Sequence, residues 1–177
     1  MSGRYPIIRH REPFFWWNVL RRRPLAAGPG QALVCLLGGD SAVYVEGAPE
    51  GAMARRVLAV STVDVRRDVP IRAECHVAAN QSWYVFPVMA TFHCTVVNPV
   101  TVVRSRRAHA IQNMDAYLQG ILKAASTGHG ARDELSLERT LTEVLRRRLA
   151  STPIPGVRIA LASLDVKPAC PTDPGEA

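Results

Sequence analysis

Apolar positions recur at two periods along this chain, and the change from one to the other falls near Arg107. Before that point the runs are short or alternating. Ala32 to Leu37 is an apolar run closed by Gly38-Gly39-Asp40, and Ala42 to Glu46 follows and ends at Gly47-Ala48-Pro49-Glu50-Gly51. Two such runs across a glycine turn predict a β-hairpin. Val57 to Val65 is a further strand. From Val69 to Val77 the alternation puts Val69, Ile71, Ala73, Cys75 and Val77 on one face and Arg72, Glu74 and His76 on the other. Ala79-Asn80-Gln81-Ser82 marks a turn. Val85 to Val97 is the longest β-like run, rich in β-branched and aromatic residues. Pro87 predicts an edge or a bend near its start, and Asn98-Pro99 stops it.

Beyond Arg107 the period lengthens. Ile111, Met114, Leu118, Ile121, Leu122 and Ala125 follow helical spacing over His109 to Ala125, and Ser126-Thr127-Gly128-His129-Gly130 breaks it. A second helix is predicted from about Asp133 to Ala150, with Leu137, Leu141, Val144, Leu145 and Leu149 as its stripe. Asp133, Glu134 and Glu138 stand early in it and Arg146, Arg147 and Arg148 late, the order the helix dipole favours. Pro153 to Gly156 ends it, and Val157 to Val166 is a final strand that must return to the sheet. Several antiparallel strands, two helices covering one sheet face and a returning strand make an α+β fold.

Charge divides the chain differently. Residues 1–27 hold six arginines (Arg4, Arg9, Arg11, Arg21, Arg22 and Arg23) against Glu12 alone, while the other 150 residues hold 16 basic and 14 acidic groups. The same segment holds five of the eleven aromatics: Tyr5, Phe14, Phe15, Trp16 and Trp17. Residues 1–27 therefore read as a basic, aromatic N-terminal arm, residues 28–167 as the domain, and residues 168–177, with three prolines, as a disordered tail. Tryptophan rings favour the membrane–water interface and arginines attract anionic headgroups. Phe14, Phe15, Trp16, Trp17, Arg21, Arg22 and Arg23 are thus the candidate membrane- or partner-binding residues. The apolar part is far too short to span a bilayer. Basic residues among aromatics also suit single-stranded nucleic acid, but nothing in the body extends such a surface, so nucleic acid is not the expected partner.

The four cysteines, Cys35, Cys75, Cys94 and Cys170, include no C-x-x-C pair. Three stand in apolar runs as small hydrophobes, which fits a reducing, cytoplasmic compartment. No secretory signal pattern is read at the N-terminus. Cys75-His76 and His93-Cys94 are the densest potential ligands. Pairing Cys75 with Cys94 would bring them near one another, whereas a turn near Gln81 would put Cys75 opposite Pro87 and separate them. Strand neighbours point to opposite faces, so at most two of the four can share a site. Core cysteines with exposed histidines are expected, with no metal and no cofactor. Ser-x-x-Lys, Gly-x-Ser-x-Gly and His-Glu-x-x-His are absent, and no catalytic residues are expected.

Gly28-Pro29-Gly30-Gln31-Ala32-Leu33-Val34, Val63-Asp64-Val65-Arg66, the strand Val88 to Val97 with Asn98-Pro99-Val100, and Gly156 to Val166 stand in an order that resembles the SPFH or band-7 domain family of stomatins, prohibitins and flotillins. Asn98 stands where the family usually has aspartate. The resemblance implies a non-catalytic scaffold that homo-oligomerises, peripheral to a membrane or to a membrane-linked assembly at its cytoplasmic face. No coiled-coil tract follows Val166, so fewer subunits are expected. The alternative is a soluble adaptor whose arm docks a protein partner.

Overall fold

The unbroken apolar run before Gly38 becomes a strand covered on both faces, as such runs do inside sheets. This strand, β2 (Gln31–Leu37), lies within a sheet of order β1-β4-β2-β3, with β1 (Ile7–Arg11), β3 (Val43–Glu46) and β4 (Val57–Asp64). All pairings in this sheet are antiparallel. The computed structural model describes residues 5–11, 26–38, 43–54, 56–79, 84–109, 114–126, 133–151 and 154–171.

The chain forms two compact units, where the sequence pattern reads one domain over residues 28–167. One comprises Met1–Arg67, Thr95–Met114 and Ile154–Arg158, the other Asp68–Cys94, Asp115–Pro153 and Ile159–Ala177. The first crossing lies beside Asp68, which holds a left-handed φ of 51°. Aspartate is among the few non-glycine residues that tolerate it.

In the first unit the β2–β3 hairpin has the predicted arrangement, with Leu37 opposite Val43 and Val34 opposite Glu46. β4 lies on the other side of β2, from Gln31 opposite Asp64 to Leu36 opposite Ala59. The register then slips, so that Leu37 faces Val57 and Leu58 is the extra, exposed residue. Leu33, Cys35, Leu37 and Val60 form a buried cluster, flanked by Val45 and Val57. One helical turn, α1 (Gly51–Ala54), precedes β4, and helix α2 (Pro99–His109) lies against β2, β3 and β4 with Val102 and Val103 buried.

The hydrophobic pattern does not predict α2, since it gives Asn98-Pro99 only as the stop of the preceding strand. The same two residues start a helix. Asn98 is its N-cap, its Oδ1 accepting the Thr101 N–H at 2.9 Å, and Pro99 occupies the first helical position, where the missing N–H costs nothing.

In the second unit β5 (Val69–Ala78) and β6 (Tyr84–Val96) pair antiparallel over ten positions, Val69 opposite Cys94 and Ala78 opposite Val85. β7 (Val157–Val166), of which Ile159–Val166 fall in this unit, completes the order β5-β6-β7. One sheet face carries Ile71, Ala73, Val77, Phe86, Val88, Ala90, Phe92 and Cys94, all buried. Helix α3 (Met114–Ser126) lies over this face. Asp115 in its first turn acts on Cys94, and Ser126 and Lys123 in its last turn act on Cys75. Its stripe Met114, Leu118, Leu122 and Ala125 is buried, as is the stripe Leu137, Leu141 and Leu145 of α4 (Glu134–Ser151). Asp133 caps α4, accepting the Ser136 N–H at 2.6 Å.

Pro87 is not on an edge strand, because β6 is the central strand. Its carbonyl accepts the Lys167 N–H at 2.9 Å, which puts its N side toward the same neighbour. There β7 has just ended at Val166, and β8 (Cys170–Pro171), which pairs with Tyr84 and Val85, has not begun. The missing donor of Pro87 thus faces a gap between two partner strands. The same pairing ties down residues 170–171, within the segment that the sequence reads as disordered from Pro168; residues 172–177 lie outside the described residues. Two antiparallel sheets, the helices and a final returning strand are the α+β class that the two hydrophobic periods predict.

Candidate functional site

Phe14, Phe15, Trp16, Trp17, Arg21, Arg22 and Arg23 lie outside the described residues, which begin again at Ala26. The strands on either side of them are described. β1 ends at Arg11, opposite Val60, and β2 begins at Gln31, opposite Asp64. Both strands run antiparallel to β4, on its two sides, so they point the same way. The aromatic–arginine stretch therefore lies in the chain between two strands of one sheet, and residues 7–11 of the basic, aromatic arm that the sequence reads over residues 1–27 form one of them. Ile7-Ile8-Arg9-His10-Arg11 has no clean alternation, so nothing in the pattern announced β1. Its place comes from pairing with β4, reinforced by a 2.8 Å hydrogen bond between His10 Nδ1 and Ser61 Oγ.

At the entry to β2 stands the most buried carboxylate described. Asp64, 4% exposed, accepts four hydrogen bonds from Arg66: the main-chain N–H on Oδ1 at 3.1 Å, Nε shared between Oδ1 at 3.0 Å and Oδ2 at 3.1 Å, and the terminal NH2 on Oδ2 at 2.6 Å. Burial alone would raise the Asp64 carboxyl. The hydrogen bonds and charge of Arg66 outweigh it, and the carboxyl is held below its ordinary value. The stem of Arg66 lies against Gly30, where a Cβ would fall 2.6 Å from the Arg66 Cγ. Gly30 has φ 69° in the turn that opens β2, and its carbonyl accepts the Val65 N–H at 2.9 Å. The pair and the glycine together lock the start of β2 to the end of β4. They form a structural clamp whose charges are satisfied by each other.

The cysteine–histidine groups stay apart. Cys75 faces Val88 and Cys94 faces Val69, so the pairing follows neither register weighed from the sequence, falling one residue from the Cys75–Pro87 alternative. Cys75 and Cys94 share the inner face six residues apart along the ladder, roughly 20 Å. His76 and His93 are exposed on the outer face at the same separation. Among the described residues no group of three or more histidine, cysteine or acidic side chains converges as a metal site. Burial pushes the Cys35 thiol up to about 11 and the Cys94 thiol up to about 12. Burial also raises Cys75, against the opposing hydrogen bond of Ser126 and charge of Lys123.

A shallow depression of about 140 Å³ lies in the second unit, lined by Glu74, His76, Pro87, Met89 and Lys167 with the intervening Cys75 and Val88. The register explains it. Glu74 stands opposite Met89 and His76 opposite Pro87, on the face away from α3, and Lys167 arrives through its hydrogen bond to Pro87. A carboxylate, an imidazole and an ammonium thus rim an apolar floor. No hydrogen bond or ion pair joins the three among the described residues, so the depression holds no assembled acid–base or nucleophile–base pair. The sequence shows Glu74 and His76 as a polar face but gives no signal for Met89 or Lys167, which only cross-strand register brings there.

No helix among the described residues is long and apolar enough to cross a membrane. Comparison of the chain with protein-family models and with curated proteins found no match to either.

Proposed function

We propose that this chain is a non-catalytic scaffold domain of the SPFH or band-7 type. It associates peripherally with a membrane, or with a membrane-linked assembly, at the cytoplasmic face, and it self-associates. The observation that carries the reading is the stretch Phe14-Phe15-Trp16-Trp17 followed by Arg21-Arg22-Arg23, inserted between two strands of one sheet. Apolar rings next to cations are the combination that partitions to an anionic interface. The element order supports it as well: antiparallel strands, then helices, then a returning strand. A single short aromatic segment binds weakly, and several copies on one assembly add their affinities.

The test is co-sedimentation with vesicles of anionic and of neutral lipid. Deleting residues 1–27 would also remove β1 and bare the edge of β4, so the informative variant is F14S/F15S/W16S/W17S. Capture of the wild type by anionic vesicles, lost in the variant while its circular dichroism is unchanged, supports the reading. Absence of capture by any vesicle overturns it in favour of a soluble adaptor that uses the same residues on a protein.

A further inference from the structure

Large apolar side chains left exposed are ordinary when scattered and informative when gathered. The first unit exposes five among its described residues, and three of them, Val43 at 50%, Met53 at 51% and Leu58 at 44%, stand at one end of its sheet. The register puts them there. Leu37 closes β2 level with Val43 on one side and Val57 on the other. Leu58, the extra residue of that slip, lies against Gly38, where a Cβ would fall 3.0 Å from the Leu58 Cγ. Arg56 is tied to the same glycine twice, its carbonyl accepting the Gly38 N–H at 2.7 Å and its Nε donating to the Gly38 carbonyl at 2.7 Å. The Arg56 N–H reaches back 3.0 Å to the Met53 carbonyl, which holds α1 at this end as well.

The unit that carries this end is also the basic one. Divided at the boundaries of the two units, the sequence puts 14 arginines and five acidic residues in the first, and eight basic and ten acidic residues in the second. The positive balance is thus not confined to residues 1–27, and Arg56, Arg66, Arg67 and Arg104 are exposed in the folded part of the first unit. Such a unit is drawn to an anionic surface over about a Debye length. At the sheet end itself the charge is mixed, since Glu50 stands there too, its carbonyl accepting the Met53 N–H at 3.2 Å. The field of the unit therefore supplies attraction, and the apolar side chains have to supply the contact. β1 runs antiparallel to β4 with its last residue, Arg11, level with Val60, so the chain leaves β1 heading toward this same end.

We infer that this end of the first unit's sheet is a contact surface for anionic lipid, with Val43, Met53 and Leu58 entering the boundary between headgroups and acyl chains and Arg56 meeting a headgroup phosphate. The bond to Gly38 uses Nε of Arg56, so it fixes the guanidinium while leaving the two terminal nitrogens outside that bond for a phosphate. Side chains presented by a hydrogen-bonded sheet end lose less freedom on binding than those of a loose segment. Apolar side chains beside a cation are the combination that holds a peripheral protein at such a boundary. The inference rests on the membrane reading above and adds to it a surface built from folded residues.

The experiment is co-sedimentation of the full chain with vesicles of anionic and of neutral lipid at low salt, for the wild type, V43S/M53S/L58S, M53S and L135S, with circular dichroism of each. Leu135, 69% exposed in α4, carries the same polar change in the other unit. Expected on anionic vesicles are capture of the wild type, at least about tenfold weaker partitioning of the triple variant, about two- to threefold weaker partitioning of M53S, and no change in L135S. A folded triple variant captured as well as the wild type, or a loss as large in L135S, overturns this surface and leaves the membrane reading standing on Phe14 to Arg23. Should the triple variant lose its circular dichroism, M53S decides, and capture of M53S equal to the wild type overturns the surface. A wild type that no vesicle captures overturns both the surface and the membrane reading.

Discussion

The carbonyl of Gly156 accepts the N–H of Asn98 at 3.2 Å, while a Cβ on Gly156 would stand only 2.6 Å from the Asn98 carbonyl oxygen. The two residues join the turn before β7 to the cap of α2. The same Gly156 carbonyl accepts the Val97 N–H at 2.9 Å. Ile154-Pro155-Gly156-Val157 is a type II turn, closed by the Val157 N–H on the Ile154 carbonyl at 3.0 Å, with Gly156 at φ 80°. Gly156→Ala therefore meets two obstacles, a left-handed φ and a backbone collision. A loss of at least about 2 kcal/mol is expected, read as a lower urea midpoint at unchanged slope.

Asn98 acts through its side chain as well. Asn98→Ala removes the acceptor for the Thr101 N–H and should cost about 1 kcal/mol. Asn98→Asp keeps the acceptor and adds a negative charge at a helix N-terminus, so it should hold wild-type stability or exceed it by a few tenths of a kcal/mol. Thermal unfolding of the two variants beside the wild type checks both. Equal losses would mean that the cap contributes nothing.

Much of the fold is written locally. Val157 to Val166 and the alternation from Val69 to Val77 need only a period of two to be read, and Leu137, Leu141 and Leu145 need only the helical one. What escapes is set by pairing at a distance. Arg9, His10 and Arg11 become a strand because β4 offers an edge, and Cys75 meets Val88 because of where the β5–β6 turn closes. Asn98-Pro99 carries the residue types of a cap and a first helical position, but the β-branched residues after it, Val100 to Val103, have low helix propensity. The sequence shows Glu74 and His76 as a polar face of β5, but nothing local brings Lys167, which follows the end of β7, to that rim.

Asp64 gives a dependence on pH. Its folded carboxyl lies below the ordinary value near 3.9, so the unfolded chain binds its proton first as acid is added. The clamp's contribution is complete above the unfolded value and is lost as the pH falls through the folded one. Asp64→Asn should therefore cost about 1 kcal/mol at pH 7, where a charge-assisted bond screened on the side of the largely exposed Arg66 is removed. The gap between variant and wild type should begin to narrow below about pH 4 and go on narrowing as the pH falls through the folded value. Urea unfolding at pH 7, 5 and 3.5 measures it; a gap independent of pH would assign the loss to shape and not to charge.

The thiols should divide by burial. Cys35 and Cys94 are fully buried, with their thiols pushed up to about 11 and about 12, so at pH 8 they offer neither access nor thiolate. Cys170 is half-buried, its Sγ donating to the Val85 carbonyl at 3.6 Å. Maleimide labelling of the native chain, followed by peptide mass spectrometry, should mark Cys170 first, then the half-buried Cys75, and should reach Cys35 and Cys94 only in denaturant. Early marking of Cys94 would mean that α3 opens readily from the β5–β6 face.

Arginine and aromatic contributions to lipid capture separate by salt and by lipid charge. Each cation near an anionic surface contributes about 1 kcal/mol, falling with the Debye length. Replacing Arg21, Arg22 and Arg23 with serine should thus lower partitioning onto anionic vesicles on the order of 100-fold at low salt. The wild type should lose most of that advantage when salt is raised to 0.5 M, a condition under which exposed charges are largely screened. The ring contribution of Phe14, Phe15, Trp16 and Trp17 does not depend on lipid charge, so residual binding to neutral vesicles should be the same in the triple variant and the wild type. A triple variant that binds anionic vesicles as the wild type does would remove the arginines from the interface. Equal capture of the wild type at low and high salt would point to the same end, with insertion of the rings alone.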